Sequence, residues 1–171
     1  DTFINKSHQK VLIFAENRPE WIFVLYAAWK KNCIVIPVDH MSTSEEVAYI
    51  LSDSRPEKIF CSEEKRNIID SAVVASEYHP EVLVLEETGL SEHPGNQNHT
   101  GIGFPDLSDI ALINYTSGTT GNPKGVMLTF KNLLTNIIAV SESVPIITSE
   151  ERILMLLPLH HIFLGPHIRI L

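Results

Sequence analysis

Over the first 85 positions, short apolar runs rich in β-branched residues alternate with stretches of helical periodicity. Residues 11–15 are continuously apolar, the pattern of a strand buried on both faces. Pro19 then stands where a helix accepts proline, in its first turn. Residues 19–31 predict that helix. Trp21, Ile22, Phe23, Val24, Leu25, Tyr26 and Trp29 make it apolar nearly all round, so it is expected to be buried on more than one side. Residues 33–38 predict the next strand. Thr43 and Glu46 have the spacing of a capping box, and Val47, Ile50 and Leu51 form a narrow apolar stripe behind it. A short strand at 58–61, a helix at 63–76 and a strand at 82–85 complete the series.

Strand, helix and strand at this spacing argue for βαβ units and a parallel sheet, so the expected class is α/β with a layered βαβ architecture. From residue 86 to 108 the chain turns polar and rich in Gly and Pro, which marks a connecting loop. Residues 1–85 are therefore read as the first βαβ half, and 109–171 as the second half of the same domain. In the second half a strand at 109–115 leads into a Gly/Thr loop. A strand at 126–128, a helix from about Thr129 and a strand at 153–157 follow.

Charge narrows the partners. Thirteen Lys and Arg against 21 Asp and Glu give a net charge of −8 in 171 residues, which repels polyphosphate backbones and argues against nucleic acid. A phosphate-bearing ligand must be gripped locally. The composition, 44 % apolar and 20 % charged, is that of a globular protein rather than a disordered or disulfide-dense chain. Cys33 and Cys61 lack a C-x-x-C pattern and are expected to be free buried thiols. No apolar run reaches membrane-spanning length, and the expected location is cytoplasmic or peripheral to a membrane.

The chemistry concentrates in Tyr115-Thr116-Ser117-Gly118-Thr119-Thr120-Gly121-Asn122-Pro123-Lys124-Gly125. Glycines let a ligand approach the main chain. Four hydroxyls and successive N–H groups can ring an anion, and Lys124 supplies one mobile cation. A phosphate cradle is the natural reading. It is not a Walker A loop, since Pro123 precedes Lys124 and Gly125 follows it. No G-x-G-x-x-G is present either.

These residues resemble the signature loop of the AMP-forming acyl-CoA synthetases in the acyl-adenylate-forming superfamily. That superfamily also holds luciferases, aryl-CoA ligases and the adenylation domains of peptide synthetases. Asn17-Arg18-Pro19-Glu20-Trp21, Val35-Ile36-Pro37-Val38-Asp39 and Leu157-Pro158-Leu159-His160-His161 are similar to further family segments. The resemblance implies that a carboxylate, here a medium- or long-chain fatty acid, attacks the α-phosphate of ATP with Mg²⁺, and that CoA then displaces AMP. By position, Thr116, Ser117, Gly118, Thr119, Thr120 and Gly121 would wrap the β- and γ-phosphates, with Thr120 and Lys124 in the catalytic role. His161 takes the position of the histidine that lines the acyl pocket. His160, a histidine following an apolar strand, reads as a hydrogen-bonded core residue. Zinc binding by His160, His161 and His167 is not expected, because no carboxylate or thiolate lies at ligand spacing.

The sequence also departs from the family pattern. Asn32 stands where a glycine usually ends the buried helix, and is expected to take the left-handed turn itself. Phe130 replaces a histidine, and Gly165-Pro166 interrupts an expected helix. Family members are several times longer. The resemblance therefore implies a partial N-terminal domain, inactive alone, with exposed strand edges that invite self-association. Two other functions stay open: a peptide-synthetase adenylation domain, and a non-catalytic nucleotide-binding module.

Overall fold

The computed structural model describes residues 3–4, 7–90, 105–116, 123–143 and 158–160. Among the described residues six strands form one sheet: β1 (Lys10–Phe14), β2 (Ile34–Pro37), β3 (Lys58–Cys61), β4 (Glu81–Val84), β5 (Ile110–Thr116) and β6 (Lys124–Thr129). Their spatial order is β4-β3-β1-β2-β5-β6. The first five are mutually parallel, and only β6 runs antiparallel, against β5. Among the described residues four α-helices accompany them: α1 (Pro19–Lys30), α2 (Ser44–Ser54), α3 (Arg66–Ser76) and α4 (Phe130–Ser143).

The βαβ reading holds for β1 to β4, and the parallel sheet is confirmed apart from its last strand. Residues 124–129 turn back on β5 because only seven residues separate the two strands. A parallel return needs a crossover of about a dozen residues or more. The helix expected at 63–76 starts as a 3₁₀ turn over Glu63–Lys65 and becomes α-helical from Arg66. The strand expected at 153–157 lies outside the described residues.

Burial follows strand alternation. Val11, Ile13 and Ala15 pack with Trp21, Ile22, Val24 and Ala28 of α1 on one face. Leu12 and Phe14 point the other way, into Val47, Ile50 and Leu51 of α2 and Ile69 and Ala72 of α3. Two faces covered by helices explain why β1 reads as an unbroken apolar run. Burying one such side chain stabilises the fold by about 1.5–3 kcal/mol.

Local chemistry sets the helix ends. Pro19 opens α1. The Thr43 hydroxyl accepts from Glu46 N–H at 3.3 Å while the Glu46 carboxylate accepts from Thr43 N–H at 2.8 Å, which is the expected capping box. Asn32 does take the left-handed turn after α1, at φ 54°, and its amide donates to Asp109 at 3.0 Å just before β5. Thr129 and Asn132 cap the start of α4 reciprocally, at 2.9 and 3.2 Å.

Phe130, in the place of a family histidine, has a packing role. Its ring meets Trp29 edge-on, with centroids 5.6 Å apart. The Trp29 indole N–H donates to Ala111 O at 3.1 Å. Together these contacts pin α1 to β5 and to the start of α4. Among the described residues no helix is long and apolar enough to cross a membrane.

Candidate functional site

The carboxyl ends of all five parallel strands lie along one edge of the sheet, where open α/β sheets bind ligands at the point where chain connections diverge. Here the chain leaves β1 towards β2 and leaves β3 towards β4, so that point falls between β1 and β3. It is closed by the protein's own side chains. Ser62 Oγ donates to Glu16 at 2.7 Å. Arg18 donates to Glu20 at 2.9 Å, to Glu16 at 3.2 Å and to Glu86. Glu86 in turn accepts from Glu63 N–H at 3.0 Å.

Electrostatics follow from these contacts. The Arg18 hydrogen bond holds the Glu20 carboxyl below its usual value, although burial opposes it. Burial likewise works against the charge on Arg18, but Glu20 and Glu86 more than offset it, and the guanidinium pKa rises.

The edge past β2 and β5 has a different character. Val35 of β2 pairs with Leu112 of β5, and carrying that parallel register four residues on sets Asp39 level with Thr116. Thr116 ends β5 and Lys124 begins β6, directly opposite each other in the antiparallel pair, and both are exposed. Opposed residues share a face of the sheet. Leu112 and Leu128 of the same alternation pack on the α1 side, so the Thr116 hydroxyl and the Lys124 ammonium emerge on that side. Ser117, Gly118, Thr119, Thr120 and Gly121 lie outside the described residues, as does His161.

The two strands are held close at this mouth. A Cβ added to Gly125 would lie 2.9 Å from Ile113 Cγ2 and 3.2 Å from Tyr115 Cζ, so glycine lets those side chains pack over the β6 backbone. The Tyr115 hydroxyl donates to the Asp53 carboxylate of α2. Burial, and then that acceptor, raises the phenol pKa, which keeps Tyr115 neutral and donating.

A third group was not anticipated as a unit. Asn17 Oδ1 accepts from Leu159 N–H at 2.8 Å, and Leu159 is buried in the α1-side core. That anchors the 158–160 turn and buries His160 beside Asp39 and His40. Sequence spacing could not reveal the grouping, since the carboxylate comes from the loop after β2. The only hint was the Pro37-Val38-Asp39 segment at a strand end.

Comparison with known proteins gives the family and the fold. A family model described as AMP-binding enzyme matches residues 5–166. The long chain acyl-CoA synthetase 6, peroxisomal, of Arabidopsis thaliana is 33 % identical over 88 % of this chain and 24 % of its own length. The long-chain-fatty-acid–CoA ligase 1 of Cavia porcellus is 28 % identical over 91 % of this chain and 26 % of its own. The chain thus spans about a quarter of the length of these relatives. In fold it resembles the O-succinylbenzoate coenzyme A synthetase of Bacillus subtilis in complex with AMP. The TM-score is 0.72 at 23 % identity, covering 91 % of this chain and 38 % of that one. With a family match running almost from end to end, the chain belongs to the AMP-binding enzyme family.

Proposed function

We propose that this chain carries the phosphate-binding part of an ATP-dependent, AMP-forming carboxylate–CoA ligase acting on a medium- or long-chain fatty acid. One observation carries the reading: Thr116 and Lys124 face each other across the mouth of the 115–125 loop, on one side of the sheet. A hydroxyl and an ammonium so placed suit the β- and γ-phosphates of ATP. The donors fixed there favour the charge that builds on departing pyrophosphate. The glycines and hydroxyls of 117–121 would complete the cradle with backbone N–H groups. The long-chain fatty-acid relatives support an acyl substrate, and CoA follows from the same likeness.

Mg²⁺ takes hard oxygen ligands. The exposed Thr116 hydroxyl is such a donor, and ATP phosphates supply others, so the residues present fit the ion. When bound, it would neutralise phosphate charge. Lys124 and Thr116 would orient the chain of phosphates, while His161 would border the acyl carboxylate. Because the chain corresponds to a quarter of its relatives, it is expected to yield no thioester alone with ATP, CoA and fatty acid.

The test is fatty-acid-dependent exchange of pyrophosphate into ATP by the longest natural polypeptide that contains these residues. Exchange that rises with added palmitate or decanoate supports the reading. Exchange that responds only to an amino acid would indicate a peptide-synthetase adenylation domain. ATP binding without any exchange would indicate a non-catalytic module.

A further inference from the structure

We propose that Asp39, His40 and His160 form a binding site for one zinc-class divalent cation, which fastens the 158–160 turn to the loop after β2. The proposal does not depend on the ligase reading.

The distances carry the proposal. Asp39 Oδ1 lies 3.6 Å from His40 Nδ1, and Asp39 Oδ2 lies 3.6 Å from His160 Nε2. The ligand atoms of all three residues lie within 4.8 Å of one another. A separation of 3.6 Å is too long for a hydrogen bond. Each separation is measured to a different carboxylate oxygen, and each is close to the edge of a zinc tetrahedron, about 3.3–3.6 Å for bonds of about 2.0–2.2 Å. The two imidazoles are 6.1 Å apart between centroids and tilted by 54°, so they do not stack.

The surroundings suit a cation. Met41 N–H donates to Asp39 Oδ1 at 2.9 Å, which orients the carboxylate as an outer-sphere partner does. The Asn17–Leu159 hydrogen bond and the burial of Leu159 fix the backbone that presents His160. The side chains of Asp39 and His40 are 47 % and 28 % exposed, and so leave a path from solvent to the buried third ligand. Two imidazoles and one carboxylate select zinc, cobalt or nickel over magnesium, which prefers all-oxygen shells. Three protein ligands leave a fourth position for water.

The experiment titrates Zn²⁺ into the metal-free full chain by calorimetry and follows Co²⁺ binding by visible absorption. The proposal expects one ion per chain, visible bands of a tetrahedral Co²⁺ adduct, and a melting temperature raised by saturating zinc. His40→Gln and Asp39→Asn are expected to weaken Zn²⁺ binding at least about tenfold, with an unchanged far-UV circular dichroism spectrum. These two variants keep the test decisive even where His160→Gln fails to fold. A titration with no saturable ion overturns the proposal. Zinc bound by both variants as tightly as by the parent overturns it too, because the ion then sits on other residues. Displacement of the bound ion by millimolar Mg²⁺ refutes the zinc-class assignment.

Discussion

Lys124 stands directly opposite Thr116 in the β5–β6 pair, so one residue from each end of the Gly/Thr loop reaches the same side of the sheet. The cation therefore comes from the returning strand. Lys124 is exposed, so its removal should leave the fold intact. A charge-assisted hydrogen bond is worth about 1.5–3 kcal/mol, or about 10- to 150-fold in rate. Lys124→Ala in the intact enzyme should slow ATP–pyrophosphate exchange by that factor. A rate equal to the parent's would remove Lys124 from the phosphate site.

Gly125 pairs with Tyr115 and has no room for a methyl group beside Ile113 and Tyr115. Gly125→Ala must push those side chains aside. Such overpacking costs about 1–3 kcal/mol. The urea midpoint of the variant should fall accordingly. An unchanged midpoint would mean that the β5–β6 mouth yields freely.

Much of the first half was legible because its signals are local. An apolar run such as 11–14, a Pro19 helix start and the Thr43/Glu46 box each act within a few residues. Asn32 was legible for the same reason. Strand order was not legible, nor was the antiparallel return of β6, whose side chains read like those of any half-buried strand. The Arg18 network joins residues up to 68 positions apart. Leu159 reaches Asn17 across 142 positions. Such contacts carry no periodicity, so only the folded chain brings Asp39 and His160 together. Of the 115–125 segment, the residue types were readable, and the structure adds the facing pair Thr116 and Lys124.

The Arg18 network makes stability depend on acid. Arg18 lowers the Glu20 pKa, so Glu20 adds stability in full above the unfolded value of about 4.3 and loses it as pH falls through the lower folded value. Arg18 is largely buried. Arg18→Gln should therefore cost roughly 2 kcal/mol at pH 7, between the values of exposed and buried pairs. Urea unfolding at pH 7 and at pH 3.5 should show the gap between parent and variant shrinking in acid. A gap independent of pH would mean that Arg18 acts by packing alone.

Cys61 is fully buried in the sheet face under α2 and α3, and burial pushes its thiol up to about 12. Burial also raises the Cys33 thiol. Only a thiolate attacks a disulfide reagent, so neither sulfur should react at pH 8 while the chain is folded. Unfolding exposes thiols of ordinary pKa, about 8.5. With a folded value above the unfolded one, each thiol's contribution is intact below about pH 8.5 and fades as pH climbs towards the folded value. Dithionitrobenzoate should release no rapid colour from the native chain and two equivalents in guanidinium, one for each cysteine. A rapid equivalent from the native chain would show that the core opens to solvent at Cys61 or at Cys33, against the burial of both.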